Sequence, residues 1–100
     1  MKDSCFFGKR IKELREENNL LQRQMAYSLD IDTPLYSKIE RGDRRAKKEQ
    51  VAVMAKLFDV EEKELMTLWL ASQINELLKS NKYVIEALEL VLKTHKELTE

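Results

Sequence analysis

Apolar side chains recur along this chain at helical rather than strand spacing. Phe7, Ile11 and Leu14, with Asn18 continuing the stripe, predict a first helix over residues 6–18. Asn18-Asn19-Leu20 reads as a turn, with Leu20 pointing inward. Met25, Ala26 and Leu29 then mark a short second helix beginning near Gln22. Asp30 to Asp32 separates it from a third, in which Leu35, Tyr36 and Ile39 turn inward at least in part. Asp and Thr are cap residues, Pro34 suits a first helical turn that needs no amide hydrogen, and Gly42 closes the helix in the left-handed conformation. That sets the third helix at about Thr33 to Arg41. Val51, Met54, Ala55 and Phe58 predict a fourth over Glu49 to Phe58, and Glu61-Glu62 opens a fifth, where early acids suit the helix dipole. Leu65, Leu68 and Trp69 face the core of that fifth helix.

The apolar pattern continues through Ile74, Leu77, Leu78, Val84, Ile85, Leu88, Val91 and Leu92, broken only by the polar Ser80-Asn81-Lys82. Without glycine or proline there, the segment is one long helix or two with a turn near Asn81, and the turn is favoured. So much aliphatic surface needs a partner: Trp69 and Leu70 of the same chain, or the tail of a second subunit. Pairing with a second subunit is favoured.

The residues between Gln22 and Gly42 carry a specific likeness. Gln22, Met25-Ala26, Leu29, Ile31, Ser37 and Ile39-Glu40-Arg41-Gly42 resemble the helix-turn-helix of the lambda-repressor-like (Xre/Cro) family of DNA-binding regulators. Phe7 to Arg15 is similar to the family's first helix, and Met54 to Val60 to its fourth helix and exit. The likeness covers about the first two thirds of the chain. It implies an all-α fold: a five-helix DNA-binding domain over residues 5–70, followed by a helical extension over 71–100 for dimerisation. Three positions depart from the family: Leu21 stands where Ser or Thr usually caps the second helix, and Asp30 and Asp59 stand where glycine usually ends the second and fourth. Asp tolerates the left-handed conformation better than most residues, so both turns are expected to survive.

The resemblance also assigns roles. It places Thr33, Pro34, Ser37 and Lys38 against base edges, Gln22 against a phosphate, and Arg15 in an ion pair with Glu40. Lys38 can donate to guanine O6 and N7, while Thr33 or Pro34 offers apolar contact to a thymine methyl. Backbone amides at a helix start favour an anion near Gln22 independently, and Arg23 adds a second contact.

Charge sharpens this picture. The formal net charge is zero, but residues 38–48 hold six basic against two acidic side chains, a local +4, and residues 59–100 hold nine acidic against five basic, a local −4. A basic run alone is as readily a solvated loop. Directly after a helix-turn-helix it is a phosphate-contacting patch, formed by Arg41, Arg44, Arg45 and Lys47.

Composition sets the remaining expectations. A chain 43% hydrophobic and 36% charged, with two glycines and one proline, suits one helical domain. A lone Cys5 excludes an internal disulfide and, with no signal peptide or long apolar run, predicts a cytoplasmic protein. His95 and Cys5 stand apart without a catalytic or metal-ligand pattern, so neither an enzyme nor a cofactor is expected. The competing expectation is an antitoxin-like interaction module that binds a partner protein through its apolar C-terminal helices.

Overall fold

The computed structural model describes residues 6–99, which form six α-helices and no strand. These are α1 (Phe6–Glu17), α2 (Gln22–Ser28), α3 (Thr33–Arg41), α4 (Lys48–Phe58), α5 (Glu62–Ser80) and α6 (Val84–Thr99). Cys5, where the expected domain begins, lies outside the described residues. Phe7, Ile11, Leu14, Met25, Tyr36, Ile39, Val51, Met54, Phe58 and Leu65 are buried in one core built from α1 to α5. Leu68 and Trp69 pack against it half-buried.

Helix ends explain most of this topology. α1 stops one residue short of the expected Asn18, whose side-chain Nδ2 donates to the Leu14 carbonyl at 2.7 Å, and Asn19 turns left-handed at φ 56°. The Leu20 amide then donates back to Arg15 O and the Asn19 amide to Glu16 O, the paired pattern that satisfies a helix's last carbonyls. α2 ends in the same way at Asp30 (φ 57°) and α4 at Asp59 (φ 54°), so both aspartates adopt the conformation that glycine would take. Gly42 (φ 81°) closes α3.

Helix starts are less conventional. Leu21 has no side-chain acceptor, yet the Gln24 side chain reaches back to the Leu21 amide at 2.7 Å, so half of the reciprocal capping arrangement survives. Gln50 does the same for Lys47 at 2.8 Å, and α4 accordingly begins at Lys48, one residue before expectation. Asp32 caps α3 fully, accepting from the Leu35 amide at 2.8 Å.

α5 is longer than a five-helix domain requires. It runs unbroken across the 70/71 position where an extension was expected to begin, and Ser72 Oγ accepts from the Phe7 amide at 3.1 Å. The chain turns at Asn81, as favoured from sequence, and α6 makes only slight contact with α5.

Candidate nucleic-acid interface

α3 is anchored from beneath by a polar cluster. Arg15 donates from Nε to Glu40 Oε2 at 2.6 Å and from Nη2 to Oε1 at 3.2 Å, a two-point contact of the kind guanidinium and carboxylate planes favour. Its Nη1 donates to the Leu20 carbonyl at 2.9 Å, so one side chain fastens α1 to both the following turn and α3. The Glu40 side chain is only 3% exposed. Burial alone would push its carboxyl up, but the Arg15 guanidinium, with lesser contributions from the nearby Tyr36 hydroxyl and the Gln22 amide, outweighs it and holds the group below the usual range. Tyr36 is fully buried alongside, its hydroxyl raised by burial and by the Glu40 charge but not in hydrogen-bonding geometry to a partner.

This anchoring leaves the opposite side of α3 to solvent. Thr33, Pro34, Lys38 and Arg41 are exposed while Tyr36, Ile39 and Glu40 are buried. Ser37 is half-buried rather than open, and its Oγ accepts from Arg41 Nη1 at 2.7 Å. Arg41 Nε also donates to Asp43 Oδ2 at 3.1 Å, which pins the guanidinium against the helix end and offsets part of its charge. Gln22 sits differently from its assigned role: its amide donates to Glu40 Oε1 at 3.1 Å, so the donor is turned inward. Arg23 is exposed on α2.

The basic loop follows directly. The Asp43 and Arg44 amides both bond the Lys38 carbonyl, at 2.8 and 3.3 Å, so the loop leaves α3 tightly. Ala46 is buried, and its carbonyl accepts from the Trp69 indole Nε1 at 2.9 Å. Arg44, Arg45 and Lys47 are exposed on either side of that buried point. α3 and its loop therefore present Thr33, Pro34, Lys38, Arg44, Arg45 and Lys47 to solvent together.

Two fastenings here were not anticipated. Trp69 was read as a core residue and as a surface for the tail, and its indole donor had no visible target 23 positions away. Arg10 carries an ion pair to Glu64 at 2.8 Å that joins α1 to α5. The expected dimer residues divide into two groups. Leu78, Val84 and Leu88 are half-buried, and the last two are the only α6 side chains not exposed among those described. Ile74, Leu77, Ile85, Val91 and Leu92 are 39–65% exposed. Among the described residues no cluster of potential metal ligands forms, and no helix is long and apolar enough to cross a membrane.

A two-helix unit with a capped, outward-facing second helix, as in α2 and α3, is the architecture by which side chains are offered to a DNA groove. The chain belongs to the helix-turn-helix domain family, whose model matches residues 8–69, and such a domain points to a DNA-binding regulator. Comparison with characterised proteins and with solved structures gave no match.

Proposed function

We propose that this chain is a sequence-specific, double-stranded DNA-binding transcription regulator of lambda-repressor-like type, acting in the cytoplasm as a homodimer on a palindromic operator and not as an enzyme. The observation that carries this reading is the orientation of α3: Thr33, Pro34 and Lys38 face solvent while Tyr36, Ile39 and Glu40 hold the helix to the body. Lys38 reads guanine, and Thr33 and Pro34 offer apolar contact to thymine. Ser37 supports Arg41 instead of selecting a base. Arg44, Arg45, Lys47 and Arg23 contact phosphates, with Arg41 joining them by releasing Asp43, and these contacts set register without reading sequence. Gln22 contributes to a phosphate only by turning from Glu40.

Pairing uses the exposed apolar side chains of α5 and α6, with Ile74, Leu77, Ile85, Val91 and Leu92 in the interface and Leu78, Val84 and Leu88 joining the two helices within one chain. Selection of bound sites from random duplexes tests class and stoichiometry together. The expected result is a site with two inverted half-sites, and affinity falling roughly 10³–10⁵-fold between 50 and 200 mM salt if about 6–10 phosphates are engaged.

A second reading has its own observation. Leu70, Leu77, Leu90, Val91, Leu92 and Leu98 are 49–77% exposed, more apolar surface than a helical hairpin leaves open without a partner. In that reading the α5–α6 hairpin binds a different protein, as an antitoxin would, and the complex responds little to salt.

A further inference from the structure

A cleft of about 420 Å³ opens between the loop after α3 and the middle of α5. Its floor is apolar: Phe7, Ile39 and Ala46 are buried there, and the half-buried Trp69 forms part of the wall. The volume falls within the roughly 300–1,000 Å³ of small-molecule sites, and seven of the thirteen lining residues are polar or charged.

The rim decides what kind of molecule fits. Asp43 is engaged by Arg41, and Glu76 and Lys79 have partners of their own. Arg44 and Arg45 line the same cleft, and among the described residues their side chains make no hydrogen bond or ion pair. Two uncompensated guanidiniums above an apolar floor complement a molecule with an anionic end and an apolar body. We propose that the cleft binds a small amphipathic anion, its body against Trp69 and Ile39 and its charge on Arg44 and Arg45, and that this ligand competes with DNA for the two arginines. The competition rests on the reading of Arg44 and Arg45 as phosphate contacts; the anion site does not.

Trp69 is the chain's only tryptophan, so its emission reports on the cleft directly. Titration of the full chain with decanoate should change that emission saturably. Decanol, with the same chain length and no charge, should bind about tenfold more weakly, because it cannot make the charge-assisted bond to a guanidinium. Gln73→Phe places a bulky ring on the α5 side of the cleft and should abolish the response. Arg45→Gln should weaken decanoate and leave decanol unchanged, which keeps the test independent of the bulkier variant's folding. A labelled duplex bound to the wild-type chain should be displaced by decanoate over the same range, and decanol should not displace it.

An emission that does not saturate, equal affinity for decanol, or an undiminished response in Gln73→Phe overturns the site. Saturable binding with no displacement of a bound duplex overturns the competition. If no duplex binds while the decanoate response is intact, the anion site is supported and the DNA reading fails instead.

Discussion

Replacing Arg15 with alanine removes both charged donors from Glu40 and the bond that holds the Leu20 carbonyl. What remains is a carboxylate 3% exposed that keeps the Gln22 amide but has lost both guanidinium bonds. Stranding one partner of a buried pair costs about 3–5 kcal/mol. The Arg15 side chain is itself 12% exposed, so water reaches the vacated space, and the lower end, about 3 kcal/mol, is expected. For a domain of this size that lowers Tm by roughly 12–24 °C. Urea unfolding followed by circular dichroism and by Trp69 emission measures it. A loss below about 1 kcal/mol would equate the pair with an ordinary surface ion pair and refute the reasoning.

The sign of the pH dependence provides an independent check. Glu40 has a folded pKa below its unfolded value, so its contribution is fully present above about pH 4.3 and is lost as pH falls through the folded value. In Arg15→Ala, burial dominates and pushes the carboxyl above its unfolded value, so the variant should instead gain stability as the group protonates. Wild type and variant therefore converge as pH falls toward and below the ordinary glutamate range. Parallel curves would show that Arg15 acts through packing or the Leu20 carbonyl rather than through Glu40. The double variant Arg15→Met/Glu40→Leu should recover most of the loss at neutral pH, because no buried charge is left unpaired.

Other consequences are simpler to test. Asp30→Gly and Asp59→Gly should each stabilise the fold by up to about 1 kcal/mol in urea titrations, since both positions are left-handed and glycine meets no Cβ penalty there. Lys38→Ala should relax base preference at one position per half-site in selected duplexes, whereas Arg44→Ala should weaken all sequences alike and reduce the salt slope by about one unit. The same uniform loss from both would remove Lys38 from base reading. Ile85→Glu with Leu92→Glu, at positions 59% and 65% exposed, should give monomers in sedimentation without changing helix content. A persisting dimer would place the interface elsewhere.

What could be read from sequence was what local chemistry decides. Asp32, Pro34 and Gly42 carry the start and end of α3 within their own turns, and the helix spans Thr33–Arg41 as expected. The inward faces of α1 and α4 followed from periodicity, because each packs one stripe against a single core. Side-chain reach over long separations was illegible. Nothing in the sequence shows that Ser72, on an ordinary helix face, meets the Phe7 amide 65 positions away, or that Arg10 selects Glu64 as well as its near neighbours. Gln22 was ambiguous for a related reason. A helix-start glutamine suits both a phosphate and the nearby carboxylate, and only the position of Glu40 in space decides between them. The caps at Leu21 and Lys47 were half visible: the glutamine three residues on was present, but the Ser or Thr that completes the signature was not.

These long-range bonds give α5 a role that its sequence did not suggest. Trp69 holds the carbonyl at the centre of the basic loop, Ser72 holds the start of α1, and the same helix continues to Ser80, carrying the exposed Ile74 and Leu77. One rigid element therefore spans from the proposed phosphate contacts to the proposed subunit contact. If the tail pairs as proposed, such a helix would couple that pairing to the loop's support, and the coupling can be tested. Trp69→Phe tests that connection: it removes the indole donor together with part of the ring's packing, and leaves the Ala46 carbonyl buried without its bond. If the loop depends on α5, duplex affinity should fall several-fold with the selected sequence unchanged and the dimer intact. If affinity is unaffected while stability drops, the bond serves the core alone and the two ends of α5 act independently.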